Sequence, residues 1–338
     1  MIELQNAHLH VSIDPDHGAE IVHLSLASGP NSGVNVLSAP KWDTPLPASR
    51  SRSYGSDALD WLSEYRGGWQ ELFPNAGAGG TVSGVPIPFH GEVSRARWDF
   101  EWLSQGQAPA VRLRCPARLP LVLERTMRLD PDRPALLITE QISSEAAFAV
   151  PYLWGHHPAF GSGIATPGAR IDLPASKVSV DSALDGPAVD LLPGSEQSWP
   201  KATDRSGNEI DLSAVPAAPC QRLIYISDLR AGWFALRNPQ RALGVAMAWD
   251  LNIFPCLWMW QEIGGGQGMP WYGRGDITAL EPATQWPSCG LEQAIKRGQA
   301  RMLEPGQTVN TSLVCSLFNA SEQSVTTVMP DGEVLTAE

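Results

Sequence analysis

Cysteine is scarce and scattered. The five cysteines, Cys115, Cys220, Cys256, Cys289 and Cys315, lie far apart without a Cys-x-x-Cys pair, which argues against a disulfide framework or a zinc site and predicts reduced core thiols. No run of about 18 apolar residues occurs, so no membrane span is expected. The opening residues, MIELQNAHLHVSI, lack a basic segment followed by an apolar one; no signal peptide is expected, and the cytoplasm is the expected compartment. Positive charge is also short. With 24 Lys and Arg against 36 Asp and Glu, the net charge is −12, a field that repels nucleic acid and anionic membranes, so neither is an expected partner. Phosphate-cradling and dinucleotide glycine patterns are missing: GGGQG at 264–268 has neither the spacing nor the strand-to-helix setting, and reads as a mobile loop. No fixed-period repeat is visible, and the 31 glycines and 29 prolines are spread without a linker-like pool.

What is present is a chain of 338 residues, 43% hydrophobic, long enough to bury a sizeable core. Its dominant pattern is alternation. In AVRLRC, Val111, Leu113 and Cys115 share one face and Arg112 and Arg114 the other. LVLERTMRL and ALLITEQIS flank Asp130-Pro131-Asp132-Arg133 and predict a hairpin; GWFALRN and ALGVAMAW do the same around Asn238-Pro239-Gln240-Arg241. TSLVCSLF adds a strand near the end. Helical patterns are almost absent, LEQAIKRG at 291–298 being the best short candidate. The expected fold is all-β: one large antiparallel domain over residues 1–320, a sandwich or barrel, followed by a loosely held polar tail at 321–338.

Histidine ends early, with all seven residues at or before position 157. His8 and His10 would share one strand face, but no carboxylate or cysteine nearby in sequence completes a ligand set, so a surface strand is expected and no metal. Three segments combine polar groups with glycine and aromatics beyond what packing requires: RGGWQELFPNAGAGG with the following PFHGE, then WGHHPAFG, then the tryptophan-rich residues 257–287. Tryptophan, at 13 residues, outnumbers phenylalanine and tyrosine, and its flat face with a polar N–H suits a sugar ring as well as a core. His157 precedes Pro158 and Glu281 precedes Pro282. Both are therefore pushed into extended backbone. In such a segment His156 and His157 point to opposite faces, so one looks into a cavity and the other serves structure. A histidine facing a carboxylate makes a general acid/base couple, in which the carboxylate is expected to raise the imidazole pKa.

These motifs resemble the aldose 1-epimerases, the galactose mutarotase-like family. His156-His157-Pro158-Ala159-Phe160 is similar to its histidine motif, Leu280-Glu281-Pro282 to the element carrying its base, His90-Gly91 to its upstream His-Gly pair, and GGWQELFPNAG to the glycine-rich segment before that pair. The likeness runs from the first strands to about residue 318. It implies an antiparallel β supersandwich, and interconversion of the α and β anomers of a free aldose. Glu281, as carboxylate, would take the C1 hydroxyl proton while His157, as imidazolium, protonates the ring oxygen. His90, Asn75, Gln70, Arg66, Trp260 and His156 would contact the sugar. No metal or organic cofactor is called for; the partner is a small-molecule sugar, and the chain would act as monomer or homodimer. The family's Gly-Arg-x-x-Asn-Arg element is replaced here by Gln70-Glu71-Leu72-Phe73-Pro74-Asn75, and its hydroxyl-binding aspartate has only Asp228 and Asp250 as candidates. A phosphosugar would need a cationic recess, which Arg66, Arg95, Arg97 and Arg274 could supply. Glu262 and Asp276 are expected to be loop carboxylates. Two other classes remain open: a glycoside hydrolase or lyase, the hydrolase pairing Glu71 with Glu281, and a non-catalytic sugar-binding or sensing protein.

Overall fold

A computed structural model describes residues 1–39 and 53–337. Two antiparallel sheets dominate. The ten-stranded sheet runs, by strand, Ile2–Gln5, Leu9–Asp14, Glu20–Leu26, Trp69–Leu72, Gly155–Phe160, Asp276–Ala283, Cys256–Ile263, Cys220–Ser227, Lys177–Val180 and Glu196–Ser198. The eight-stranded sheet runs Arg170–Asp172, Trp233–Asn238, Leu243–Trp249, Thr308–Phe318, Ala135–Ser144, Leu121–Leu129, Ala110–Pro116 and Asp99–Ser104. One apolar cluster joins them, with Leu9, Val11 and Leu257 from the first sheet meeting Leu113, Ile138 and Met127 from the second. Alternation is the physical basis, since every second side chain of a strand faces this core. Both predicted hairpins form, Leu121–Leu129 pairing Ala135–Ser144 and Trp233–Asn238 pairing Leu243–Trp249. Among the described residues no helix is long and apolar enough to cross a membrane.

Two details differ from expectation. The last segment is a hairpin, Val325–Val328 with Val334–Thr336, rather than a loose tail. Val325 and Val328 are buried on Trp233, Ala235 and Ala246, covering an outer face of the eight-stranded sheet that would otherwise expose apolar side chains. Besides the short helix α2 (Gly290–Lys296), there is an unexpected helix α1 (Asp57–Glu64). Its signal was readable: Ala58, Trp61, Leu62 and Tyr65 have i, i+3, i+4, i+7 spacing behind Ser56 and Asp57. Helix α1 lies over the outer face of the ten-stranded sheet, its Trp61 and the following Tyr65 clustering with Ala159, Ile277 and Ala279 of that face. Covered on both faces, the strand Gly155–Phe160 has all six residues buried.

Candidate active site

Strand register assembles the site. His157 stands between Gln70 on one neighbouring strand and Glu281 on the other, since Gly155 pairs Ala283 and Ala159 pairs Ala279. The His157 Nε2 lies 3.5 Å from the Glu281 Oε1, with both side chains only 3% exposed. They line a cavity of about 300 Å3 together with His90, Gln221, Glu262 and Ser288, and its apolar wall includes Trp61, Phe89, Trp258, Trp260 and Trp271. The ring centroids of Trp61, Tyr65 and Trp260 lie 5.7, 5.8 and 5.6 Å from that of His157.

That aromatic enclosure decides the charge state. Burial pushes His157 down to about 4 and Glu281 well above the usual carboxylate range, because each loses hydration of its charged form. The two shifts run in opposite senses, so burial favours the neutral form of each partner. The expected rise of the imidazole pKa is thus reversed: for His157 desolvation outweighs an attraction acting across 3.5 Å.

The polarity of two further groups is fixed. His90 has φ +60° and precedes Gly91 at +73°; a Cβ on residue 91 would stand 2.2 Å from the Phe73 carbonyl oxygen, so only glycine closes this turn. The turn aims the His90 Nδ1 at the Gly77 N–H, from which it accepts a hydrogen bond of 3.1 Å. Nδ1 is therefore unprotonated and Nε2 carries the hydrogen. Burial holds His90 well below its ordinary pKa, so it is a neutral donor. Ser288 is set through Tyr225, whose hydroxyl donates to the Asp181 Oδ2 at 2.6 Å and accepts from the Ser288 N–H at 3.1 Å. With its proton committed to Asp181, Tyr225 receives the Ser288 hydroxyl hydrogen at 2.9 Å. Ser288 is left as an acceptor on the cavity wall.

Four residues expected at the sugar lie elsewhere. The His156 side chain points between the sheets, Nδ1 3.2 Å from Glu71 and Nε2 3.2 Å from Glu140. Arg125 completes this fully buried group, 2.7 Å from Glu140 and 3.4 Å from Glu71, and the Trp154 indole N–H donates to Glu71. Burial opposes charge on His156, but Glu71 and Glu140 more than offset it and raise the imidazole to about 9. Burial would likewise raise Glu71, yet the charges of His156 and Arg125 bring it below its ordinary value. Glu71, Glu140 and His156 place donor atoms within 4.8 Å of one another, a spacing a metal could use; Arg125 supplies the positive charge there instead. Gln70 donates to Glu20 at 2.7 Å. Asn75 braces the Gly77–Ala78 turn and accepts from the Leu291 N–H of α2 at 2.7 Å. Arg66 is paired with Asp14 at 2.9 Å and Glu20 at 3.0 Å.

Other expectations change as well. Arg95 and Arg97 are paired with Glu64 and Asp16, and Arg274 donates to the Trp271 and Pro270 carbonyls, so none of the four arginines is among the cavity's lining residues. Asp228 is exposed at a turn and Asp250 accepts from Asn252, so neither reaches the cavity. Glu262 belongs to the strand Cys256–Ile263 and lines the cavity, while Asp276 opens the strand Asp276–Ala283. The 264–268 loop is held down: the Gly266 N–H donates to Glu262 at 2.7 Å, and a Cβ there would stand 2.6 Å from the Trp271 ring. Trp61, Phe89, Gln221 and Trp271 line the cavity without having been anticipated. The charged pair had a visible signal. Arg125 and Glu140 occupy core-facing positions in otherwise apolar alternations, directly opposite each other.

The fold is that of the galactose mutarotase-like proteins. A provisionally named aldose 1-epimerase from Klebsiella pneumoniae superposes with a TM-score of 0.66 at 16% identity, covering 93% of this chain and 77% of its own. Galactose mutarotase-like proteins from Lactobacillus casei and Clostridium acetobutylicum give 0.58 and 0.61 at 17% and 13% identity; each alignment covers 94% of this chain, with 99% and 95% of theirs. The chain belongs to the family described as Domain of unknown function (DUF4432), whose family model matches residues 1–317. No curated protein matches it in sequence.

Proposed function

We propose that the protein is an aldose 1-epimerase-like isomerase that interconverts α and β anomers, with His157 and Glu281 moving the protons. The observation that carries this reading is the His157–Glu281 contact, buried at the floor of an aromatic cavity. A mutarotase must remove the C1 hydroxyl proton while protonating the ring oxygen, then do the reverse. A couple holding a single proton suits both directions. Proton transfer from Glu281 to His157 gives the imidazolium–carboxylate form, which hydrogen bonds from a bound sugar's hydroxyls stabilise. Glu281 then takes the O1 proton, His157 protonates the ring oxygen, and the C1–ring oxygen bond breaks. Rotation about C1–C2 exposes the other aldehyde face. Reclosure returns the ring hydroxyl proton to His157 and the Glu281 proton to O1, leaving the couple unchanged. His90, a fixed donor whose ring lies 5.6 Å from that of His157, polarises the reacting oxygens.

Polarimetry on freshly dissolved α-D-glucose, α-D-galactose and their 6-phosphates tests the reading. Faster loss of optical rotation that disappears in Glu281→Gln and His157→Asn supports it. A wild-type protein without effect across a broad aldose panel overturns it, and tight sugar binding without turnover would indicate a sensing protein. The hydrolase pairing loses its basis, because Glu71 and Glu281 project from opposite faces of the sheet.

A further inference from the structure

The cavity has a second polar end that the acid/base couple does not use. Glu262 pairs with Ile277, four residues before Glu281 on the same strand. At about 3.4 Å per residue, the two glutamates are anchored roughly 13 Å apart on one face of the sheet. Gln221 lies opposite Glu262 on the next strand and donates to its Oε2 at 2.7 Å. Between the two ends the register places Trp260 and Leu223, both lining the cavity. Built from bonds of about 1.5 Å, a pyranose spans on the order of 6 Å between opposite hydroxyl oxygens. A ring held at His157 and Glu281 therefore occupies one end of this wall, and a second linked ring would extend along it towards Glu262.

Glu262 is also built for this use. It is fully buried; Oε2 accepts from the Gln221 amide and Oε1 from the Gly266 N–H, and the Gly265 N–H also donates to the carboxylate. A carboxylate has about four acceptor positions, so these three donors leave room for a hydroxyl. A buried carboxylate with spare acceptor positions on a cavity wall favours hydroxyl donors and repels phosphate or carboxylate groups. The Trp260 ring, 5.5 Å from that of Trp271, gives an apolar surface suited to the C–H face of a sugar.

We infer that Glu262 and Gln221 form a second carbohydrate subsite, and that the substrate is a neutral reducing disaccharide or longer oligosaccharide whose reducing unit sits at His157 and Glu281. This rests on the epimerase reading for the reducing end. Anomer exchange of α-lactose and β-maltose, compared with α-D-glucose, tests it in wild type, Glu262→Gln and Gln221→Leu. The disaccharide is expected to have the higher kcat/KM, and the disaccharide-to-monosaccharide ratio is expected to fall about tenfold in Glu262→Gln. Thermal unfolding checks that each variant folds. If wild type prefers the monosaccharide, or if the ratio stays constant in both folded variants, the second subsite is wrong while the epimerase reading stands. If no aldose is turned over, the epimerase reading fails, and tryptophan fluorescence titration decides the subsite: weaker disaccharide binding by Glu262→Gln supports it, and unchanged affinity overturns it.

Discussion

His156 and His157 are adjacent on one strand and are almost equally buried, yet they are opposite in chemistry. On the inner face His156 meets Glu71 and Glu140, with Arg125 beside both, and its pKa rises to about 9. On the outer face His157 meets indole and phenol rings, and its pKa falls to about 4. Both lose hydration; only the inner one receives compensating charge. The inner face is thereby a fixed, ion-paired brace between sheets. The outer face is a place where a proton can move.

Exchanging the two roles should be impossible, and mutation measures how completely they are divided. On the outer face, Glu281→Gln or His157→Asn should cut anomer exchange by roughly 10²–10⁴-fold, the worth of a positioned acid or base, while moving the melting temperature by no more than a few degrees. On the inner face, Glu71→Ala should do the reverse. By leaving buried positive charge uncompensated it should cost about 3–5 kcal/mol in urea unfolding, with exchange per folded molecule retained. Loss of exchange in folded Glu71→Ala would break the division.

The two faces should also answer pH differently. The folded pKa of His156 is raised above its unfolded value of 6.5, so its contribution to stability is fully present below pH 6.5 and is lost as pH rises through about 9. Melting temperature should decline across that interval in wild type and decline less in His156→Asn. Activity should follow the outer couple. It needs one shared proton, so the rate should drop below about pH 4, where His157 also binds one, and again above the raised value of Glu281. An acid limb near pH 6.5 would show that His157 is not enclosed as described. The smallest effect is expected at the cavity wall: Ser288→Ala removes one neutral acceptor and should raise KM less than about tenfold with kcat little changed.

Much of this was legible because it is local. Alternation in AVRLRC, LVLERTMRL and TSLVCSLF defines strands without reference to anything distant, and the Asp-Pro-Asp-Arg and Asn-Pro-Gln-Arg turns define hairpins. Helix α1 was legible too, although its pattern is short and isolated among strands. Gln70, Asn75 and Arg66 were misplaced because a polar residue near glycines looks the same whether it meets a sugar or holds a turn. Their partners, Glu20, Leu291 and Asp14, come from distant segments.

By itself, then, the sequence determined that the backbone at His157 and Glu281 is extended, since proline ring sterics act on the preceding residue alone, and that His156 and His157 diverge, since a strand has a period of two. Only the tertiary structure decided which histidine faces the cavity, in which direction burial shifts His157 and Glu281, and that Glu262 lies along the same wall as Glu281. Those outcomes depend on desolvation and on charges brought within a few ångströms by strand pairing, and such distances between remote residues are not written in local sequence.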